Sequence, residues 1–469
     1  MTYTSFSFYV FLPIAVIIYY VIPKTYKWLA LLVANFCFLY CATKSVSKIG
    51  LFVATIIISY GFSMLLQNTK SKILLWAAII ISASPLIVNR IVGFCGKMEY
   101  YSVFEHLIVP LGLSFYTMQM IAYLVDIYTD KIEPQKNILK YALFISFFPQ
   151  IIQGPIPRYE QLGNQLFEGH SFDDRKLMRG IQLIIWGFFL KFMIADKAGI
   201  VVDTVFDGFE GYRGLFVLIA GVLYSLQLYT DFLACVTLSQ GMAMLFGIEL
   251  IDNFNHPYFA DSIKDFWRRW HISLSSWLRD YIYIPLGGNR KGALRKNINL
   301  LATFVVSGIW HGGGFKYLFW GMMHGIYQVV ESLVPYFSRK FTGPAKAFRV
   351  LINFFLVMIA WIIFRADTLR IGLRMIYRMV SKFNPWILFD GSLYNLGLHE
   401  KEWKVLFVSL LVLLYVSRKQ EKGVVLRDVF ETYNMAFRWV IYIGAIVTIW
   451  VFGTYGLGYN ANDFIYGGF

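Results

Sequence analysis

Long apolar runs recur along almost the whole chain, and nothing else in the sequence constrains its fold as much. They cover residues 6–22, 28–41, 49–66, 73–88, 107–128, 141–152, 181–194, 215–229, 302–310, 317–334, 348–364, 405–416 and 439–452. A hydrocarbon core about 30 Å thick asks for about 20 apolar residues per helical crossing. In lipid every backbone polar group must be satisfied internally, which leaves helices and closed barrels. Runs of this length indicate helices, so the reading is an all-α, polytopic integral membrane protein with about 11–13 helices, some too short to cross. Only 15% of the 469 residues are charged, against about 25% in soluble domains. The first run is followed by no convincing cleavage site and by many further runs, so it reads as a first membrane helix rather than a removed signal.

No Pro/Ser-rich linker, low-complexity block or internal repeat is detectable, and no polar region exceeds a few dozen residues. A separate catalytic domain needs about 100 residues. Residues 1–469 are therefore read as one membrane domain, with its chemistry concentrated in a core motif region at 252–325 and any soluble chemistry left to a partner. The formal charge of +15 fits basic loops on the cytoplasmic side of a membrane. No soluble basic face suggests nucleic acid. Cys37, Cys41, Cys95 and Cys235 show no metal-ligand spacing and read as reduced, packed thiols. No metal and no resident cofactor is expected.

Two polar stretches interrupt the apolar pattern. In 365–382, Arg365, Arg370, Arg374, Arg378 and Lys382 recur at roughly helical spacing around Ile371, Met375 and Met379, as in a basic amphipathic helix on a membrane surface. In 263–281, Ile263, Phe266, Trp267, Trp270, Leu274, Trp277, Leu278 and Tyr281 follow i, i+3, i+4, i+7, which predicts one amphipathic helix. Ser262 and Asp265 would cap its start, and Pro285 with Gly287–Gly288 would end it. His271 falls on its apolar face, toward the protein body.

A lone histidine there is more often structural than catalytic, but a second one lies nearby. The apolar run from Asn297 ends in Trp310-His311-Gly312-Gly313-Gly314. A helix from Asn297 to His311 rises about 20 Å, so with Arg295 and Lys296 among headgroups His311 lies deep in the membrane. The glycines break the helix there and leave room for a substrate to approach closely. Broken backbone at that depth must be buried in protein or line a wet cavity, and an ionisable residue there points to function. Acyl transfer to a hydroxyl needs a base near neutrality, a task suited to imidazole. His311 is the expected general base, and His271 is expected to orient donor or acceptor, or to stabilise the oxyanion. Between 264 and 296, eight Lys/Arg face Asp265 and Asp280, net +6. This marks a cytoplasmic loop and suits a phosphate-rich donor such as acetyl-CoA. Trp267, Arg268, Arg269, Ser273, Asn289 and Trp310 are the expected donor-binding residues.

These residues resemble a known family. Phe266–Ser275, Arg279–Arg290 and Ser307–Gly312 are similar to the signature of membrane-bound O-acyltransferases, closest to their alginate O-acetyltransferase branch. Further similar stretches are 110–116, 147–150, 154–159, 253–258, 364–366, 458–460 and 463–466. The resemblance implies a ring of tilted, partly re-entrant helices around a membrane-piercing tunnel that holds His271 and His311. It also implies an acyl-CoA entering from the cytoplasm, an acyl group leaving outside toward a polysaccharide acceptor, and a separate serine-hydrolase-like partner in a bacterial plasma membrane. The run 233–239, Leu-Ala-Cys-Val-Thr-Leu-Ser, departs from the Ser-Gly-Tyr-Ser-Asp-like pattern of relatives. D-alanyl transfer to teichoic acid and peptidoglycan O-acetylation share the same motifs. A transporter also uses broken helices and buried histidines, but often shows internal repeats.

Overall fold

The computed structural model describes residues 1–95, 109–334, 341–455 and 464. Leu107 and Ile108 of the fifth expected span lie outside these residues, as do 458–460, 463, 465 and 466 of the family-like tail. The described residues are overwhelmingly helical and contain no strand. Six helices are long and apolar enough to cross a bilayer: Lys24–Thr43, Val46–Thr69, Asp174–Asp207, Leu215–Leu245, Gly343–Arg365 and Met435–Phe452. Lys72–Ser82 and Ser84–Phe94, bent by 59°, make a seventh if they form one span. The other runs lie on helices that are shorter, broken or less apolar. The expected 141–152 span, for example, is Ile138–Ser146 followed by Phe148–Ile151.

Burial runs inside out relative to a soluble protein. Val440, Ile443, Val447, Trp450 and Val451 are exposed along Met435–Phe452, at the spacing of a helix face, which is what a lipid-facing stripe requires. Leu215–Leu245 is instead the most buried of the candidate spans. It packs against Asp174–Phe188 and its continuation. Within that continuation a π-helical segment, Phe189–Ala195, carries Lys191 inward. Its ammonium lies 2.7 Å from Asp231 and 3.0 Å from Asp196, all three almost completely buried. Paired charge is the form in which ionisable groups persist inside a membrane protein.

Gly292–His311 and Phe315–Leu333 form an antiparallel hairpin, the feature that positions the site. Glycines let its legs touch. A Cβ on Gly308 would stand 2.4 Å from the Tyr317 carbonyl oxygen, and one on Gly321 would stand 2.3 Å from that of Phe304. Small residues are the usual means of close helix approach in membranes. Ser332 and Asn297 hydrogen-bond across the base. There Glu331 also accepts from the backbone N–H groups of Ile263 (2.6 Å) and Lys264 (3.1 Å), satisfying orphan donors of the next helix. The tip is the Gly312–Gly314 break. Gly313 packs against Gly93 and the Arg90 carbonyl, and Gly312 packs against the Tyr317 ring. At Gly312 and Gly313 the close approach is that of the protein itself.

Ion pairs mark the two ends of the bundle. Arg269–Glu421 and Arg179–Asp428/Glu431 sit at the end of the hairpin base. Arg365–Asp203/Asp207 sits at the other end. There the expected amphipathic helix forms as Leu369–Ser381, with Arg378 donating to the Tyr212 and Glu210 carbonyls. Only Cys235 is a buried thiol. Cys37, Cys41 and Cys95 are exposed on apolar helices rather than packed, because apolar surroundings here include the outer surface.

Candidate active site

The single helix expected over 263–281 does not form. It divides into Ile263–Arg269 and Ile272–Leu278, followed by a π-helical turn at Arg279–Tyr283. Trp270 is extended and His271 is left-handed, with φ 46° and ψ 56°. A non-glycine residue there costs about 1–2 kcal/mol, and apolar periodicity gives no warning of it. The segment at Asn253 holds the elbow in place. Its carbonyl accepts from Ile272 N–H at 2.9 Å, and Asn255 N–H donates to the Arg269 carbonyl at 2.9 Å. Ser262 does cap the first helix, accepting from Asp265 N–H. The Asp265 carboxylate turns to Arg268 and Arg269 instead of closing a box.

His271 points into the protein, as its place on the apolar face indicated, and is 1% exposed. Its Nδ1 lies 3.3 Å from Asn253 Oδ1. The same oxygen accepts from Ser273 N–H at 3.0 Å and Ser273 Oγ–H at 2.9 Å. A backbone N–H can only donate, so the atom facing it is the amide oxygen, and Nδ1 must carry hydrogen to bond to that oxygen. The neutral imidazole therefore presents its lone pair at Nε2, which has no hydrogen-bond partner. Phe232 (4.7 Å between ring centroids), Trp310 (6.0 Å) and Phe115 (6.4 Å) surround it.

His311 closes the first leg of the hairpin and is 2% exposed. Its ring touches Trp310 (4.8 Å), Trp320 (4.9 Å) and Phe364 (5.5 Å). Trp310 thus stands against both histidines. Arg90 fixes this helix end by donating to the Trp310 carbonyl from Nε (3.0 Å) and Nη2 (2.6 Å), with Nη2 also bonded to Ser114 Oγ. A cation on terminal carbonyls complements the negative end of a helix. Trp310 Nε1–H donates to the Ser114 carbonyl.

A cavity of about 900 Å³ opens at the hairpin base, lined by Lys264, Trp267, Arg279, Asn289, Lys296 and Glu331 among others. Two of the expected donor-binding residues, Trp267 and Asn289, border it. Arg268 and Arg269 lie outside its wall in ion pairs with Asp265, and Arg269 also pairs with Glu421. Ser273 bonds Asn253 and Ile156 N–H. Neither imidazole lines the cavity, whose inner end is closed by Trp267, Thr303 and Phe304.

Sequence reasoning missed three residues here. Arg90 lies just past the apolar run 73–88. Asn253 was noticed only as part of a family-like stretch. The third, His324, is fully buried, with Nδ1 accepting from Trp267 Nε1–H at 3.2 Å. Its signal was a histidine between Gly321 and Gly325 on the leg returning from His311. Among the described residues no cluster of His, Cys, Asp and Glu has the makings of a metal site.

Comparisons with known proteins identify the family. The family described as MBOAT, membrane-bound O-acyltransferase, matches residues 18–369. A probable alginate O-acetylase of Pseudomonas fluorescens is 33% identical over 436 residues, covering 90% of this chain and 85% of its own. A peptidoglycan O-acetyltransferase of Helicobacter pylori is 33% identical over 427 residues, covering 81% and 79%. A teichoic acid D-alanyltransferase of Bacillus subtilis is 28% identical over 294 residues, covering 60% and 73%. With a family match over most of its length and a helical bundle built to cross lipid, the chain belongs to the membrane-bound O-acyltransferase family and is an integral membrane O-acyltransferase.

Proposed function

We propose that this enzyme takes an acetyl group from a cytoplasmic thioester, acetyl-CoA, and passes it through the membrane for O-acetylation of an extracytoplasmic polysaccharide in a bacterial plasma membrane. A separate serine-hydrolase-like protein would complete delivery to the polymer. The observation that carries this reading is the pair of buried imidazoles around Trp310, set at the tip of a hairpin whose base opens into a basic cavity. The net +6 tract at that base is cytoplasmic by the positive-inside tendency. Lys264, Arg279 and Lys296 on the cavity wall suit the phosphates of a nucleotide donor. Relatives named for alginate and peptidoglycan O-acetylation support a polysaccharide acceptor.

In the transfer, the acceptor oxygen attacks the thioester carbonyl. A C–O bond forms, the C–S bond breaks, the hydroxyl proton passes to imidazole, and the thiolate leaves and is reprotonated. His311 acts as general base. The Nε2 lone pair of His271, which can only accept, orients the acceptor through a hydroxyl next to the attacking one, whose own proton goes to His311. Neutral His271 donates only to Asn253, which favours this orienting role over the oxyanion role. Radiolabelled acetyl-CoA incubated with membranes should place label on a partner protein or glycan, and His311→Ala should abolish it. Unchanged labelling in that variant removes the assignment of the base.

A further inference from the structure

Three histidines are buried around one file of rings, and the mechanism above uses two of them. The third, His324, lies on the returning leg of the hairpin. The Trp320 ring stands between it and His311, with centroids 5.0 Å and 4.9 Å away. Trp267 packs against both, 5.1 Å from His324 and 5.8 Å from Trp320. An indole N–H can only donate, so His324 Nδ1 is the acceptor and the hydrogen of the neutral ring sits on Nε2. This is the opposite tautomer to that of His271.

Trp267 is the side chain this bond holds. It borders the cavity, is only 6% exposed, and packs on Phe304 (5.2 Å) and Trp320 (5.8 Å). Trp267 and Trp320 therefore partition the cavity from His311. A thioester carbonyl entering from the cavity reaches His311 only past this indole. The orientation of Trp267 thus decides whether the donor is seated against the catalytic rings or stops short of them.

We propose that His324 is a positioning residue, whose Nδ1 latches the Trp267 indole as the inner wall of the donor cavity and so seats the thioester toward His311. The proposal rests on the reading that the cavity takes acetyl-CoA. His324 transfers no proton in it, and its effect on the reaction passes through Trp267.

The test is steady-state kinetics of acetyl-CoA consumption and acetyl transfer in membrane vesicles holding the full chain. His324→Phe keeps a ring and removes the acceptor. His324→Asn keeps an acceptor near the Nδ1 position. Trp267→Phe removes the donor and carries the same test should His324→Phe fail to fold, as judged by size exclusion and melting in detergent. With a buried donor left unpaired, KM for acetyl-CoA should rise about tenfold in His324→Phe, with kcat changed less. His324→Asn should return KM to within about threefold of the parent. The double variant His324→Phe/Trp267→Phe should be no worse than the worse single variant, since residues sharing one bond are non-additive. Folded Asn and Phe variants that are equally inactive would assign chemistry to the imidazole and overturn the positioning role. An unchanged KM in His324→Phe, alongside a raised KM in the rim variant Lys296→Gln, overturns the latch alone. A parent rate that does not saturate with acetyl-CoA, and is indifferent to Lys296→Gln, overturns the donor reading and the latch with it.

Discussion

Asn253→Ala tests whether the tautomer of His271 matters. The Asn253 amide oxygen gathers three donors, Ser273 N–H, Ser273 Oγ–H and His271 Nδ1–H, at 3.0, 2.9 and 3.3 Å. Removing it strands at least the backbone N–H and the ring N–H in a buried elbow. At about 1–3 kcal/mol for each stranded donor, stability should fall by roughly 2–6 kcal/mol. The effect on rate has two parts of unequal size. A bond that biases the tautomer by about 1.4 kcal/mol holds the correct form about tenfold over the other. Losing that bias leaves roughly half the rings correct, so the tautomer alone accounts for about twofold. Loss of the ring's fixed orientation dominates, and misplacement on the scale of 1 Å costs about 100-fold. The expected result is a kcat reduced about 10- to 100-fold, with KM for acetyl-CoA unchanged because Asn253 does not line the cavity. Ser273→Ala is the control. It strands Ile156 N–H but leaves the amide oxygen facing the backbone N–H and the ring, so kcat should stay within about threefold. Parent-like kcat in Asn253→Ala, or equal loss in a folded Ser273→Ala, refutes the argument.

Two further outcomes follow from packing and charge. Lys191→Met leaves Asp196 and Asp231 facing each other without their shared cation, and melting in detergent should show destabilisation of about 3–5 kcal/mol. Gly321→Ala drives a Cβ to 2.3 Å from the Phe304 carbonyl oxygen, which is backbone and cannot rotate away. The hairpin legs must part at a cost of about 1–3 kcal/mol, with activity lost alongside. Gly444→Ala, with nothing within 4 Å of the added Cβ, should melt like the parent.

Composition and run length revealed the class of fold because lipid imposes one simple demand, an apolar exterior over helical backbone. They also revealed where the helix bearing His311 ends, since the glycines after it do not extend it. Runs alone do not distinguish a crossing from a hairpin. Legs 302–310 and 317–334 read as two separate runs, and Gly308 and Gly321 bring them together as one hairpin. The break at Trp270–His271 was illegible for a different reason. The i, i+3, i+4 pattern continues through it, because both short helices bury the same side, and the left-handed turn is held by Asn253, a residue 18 positions away. Asn253, Arg90 and His324 act through bonds to partners distant in sequence or across the hairpin, and periodicity carries no trace of such bonds.

The indoles around the site explain why such an apolar pocket can still handle a proton. An aromatic cage could quench an imidazole lone pair with its own N–H groups, but here two of those donors are already committed. Trp310 Nε1–H is bound by the Ser114 carbonyl and Trp267 Nε1–H by His324. Trp320 and the Trp361 stacked on it are the exceptions, each with an Nε1–H that has no partner. At His271 the committed donors leave Nε2 open to a substrate hydroxyl. In a low-dielectric setting that hydrogen bond is stronger than it would be in water. If the donor is the thioester proposed above, the rigid rings would keep water from competing for it, and a proton taken from the acceptor would stay on imidazole until the departing thiolate claims it. On that proposed chemistry, the same packing that hides both imidazoles from the cavity would protect the transfer from hydrolysis.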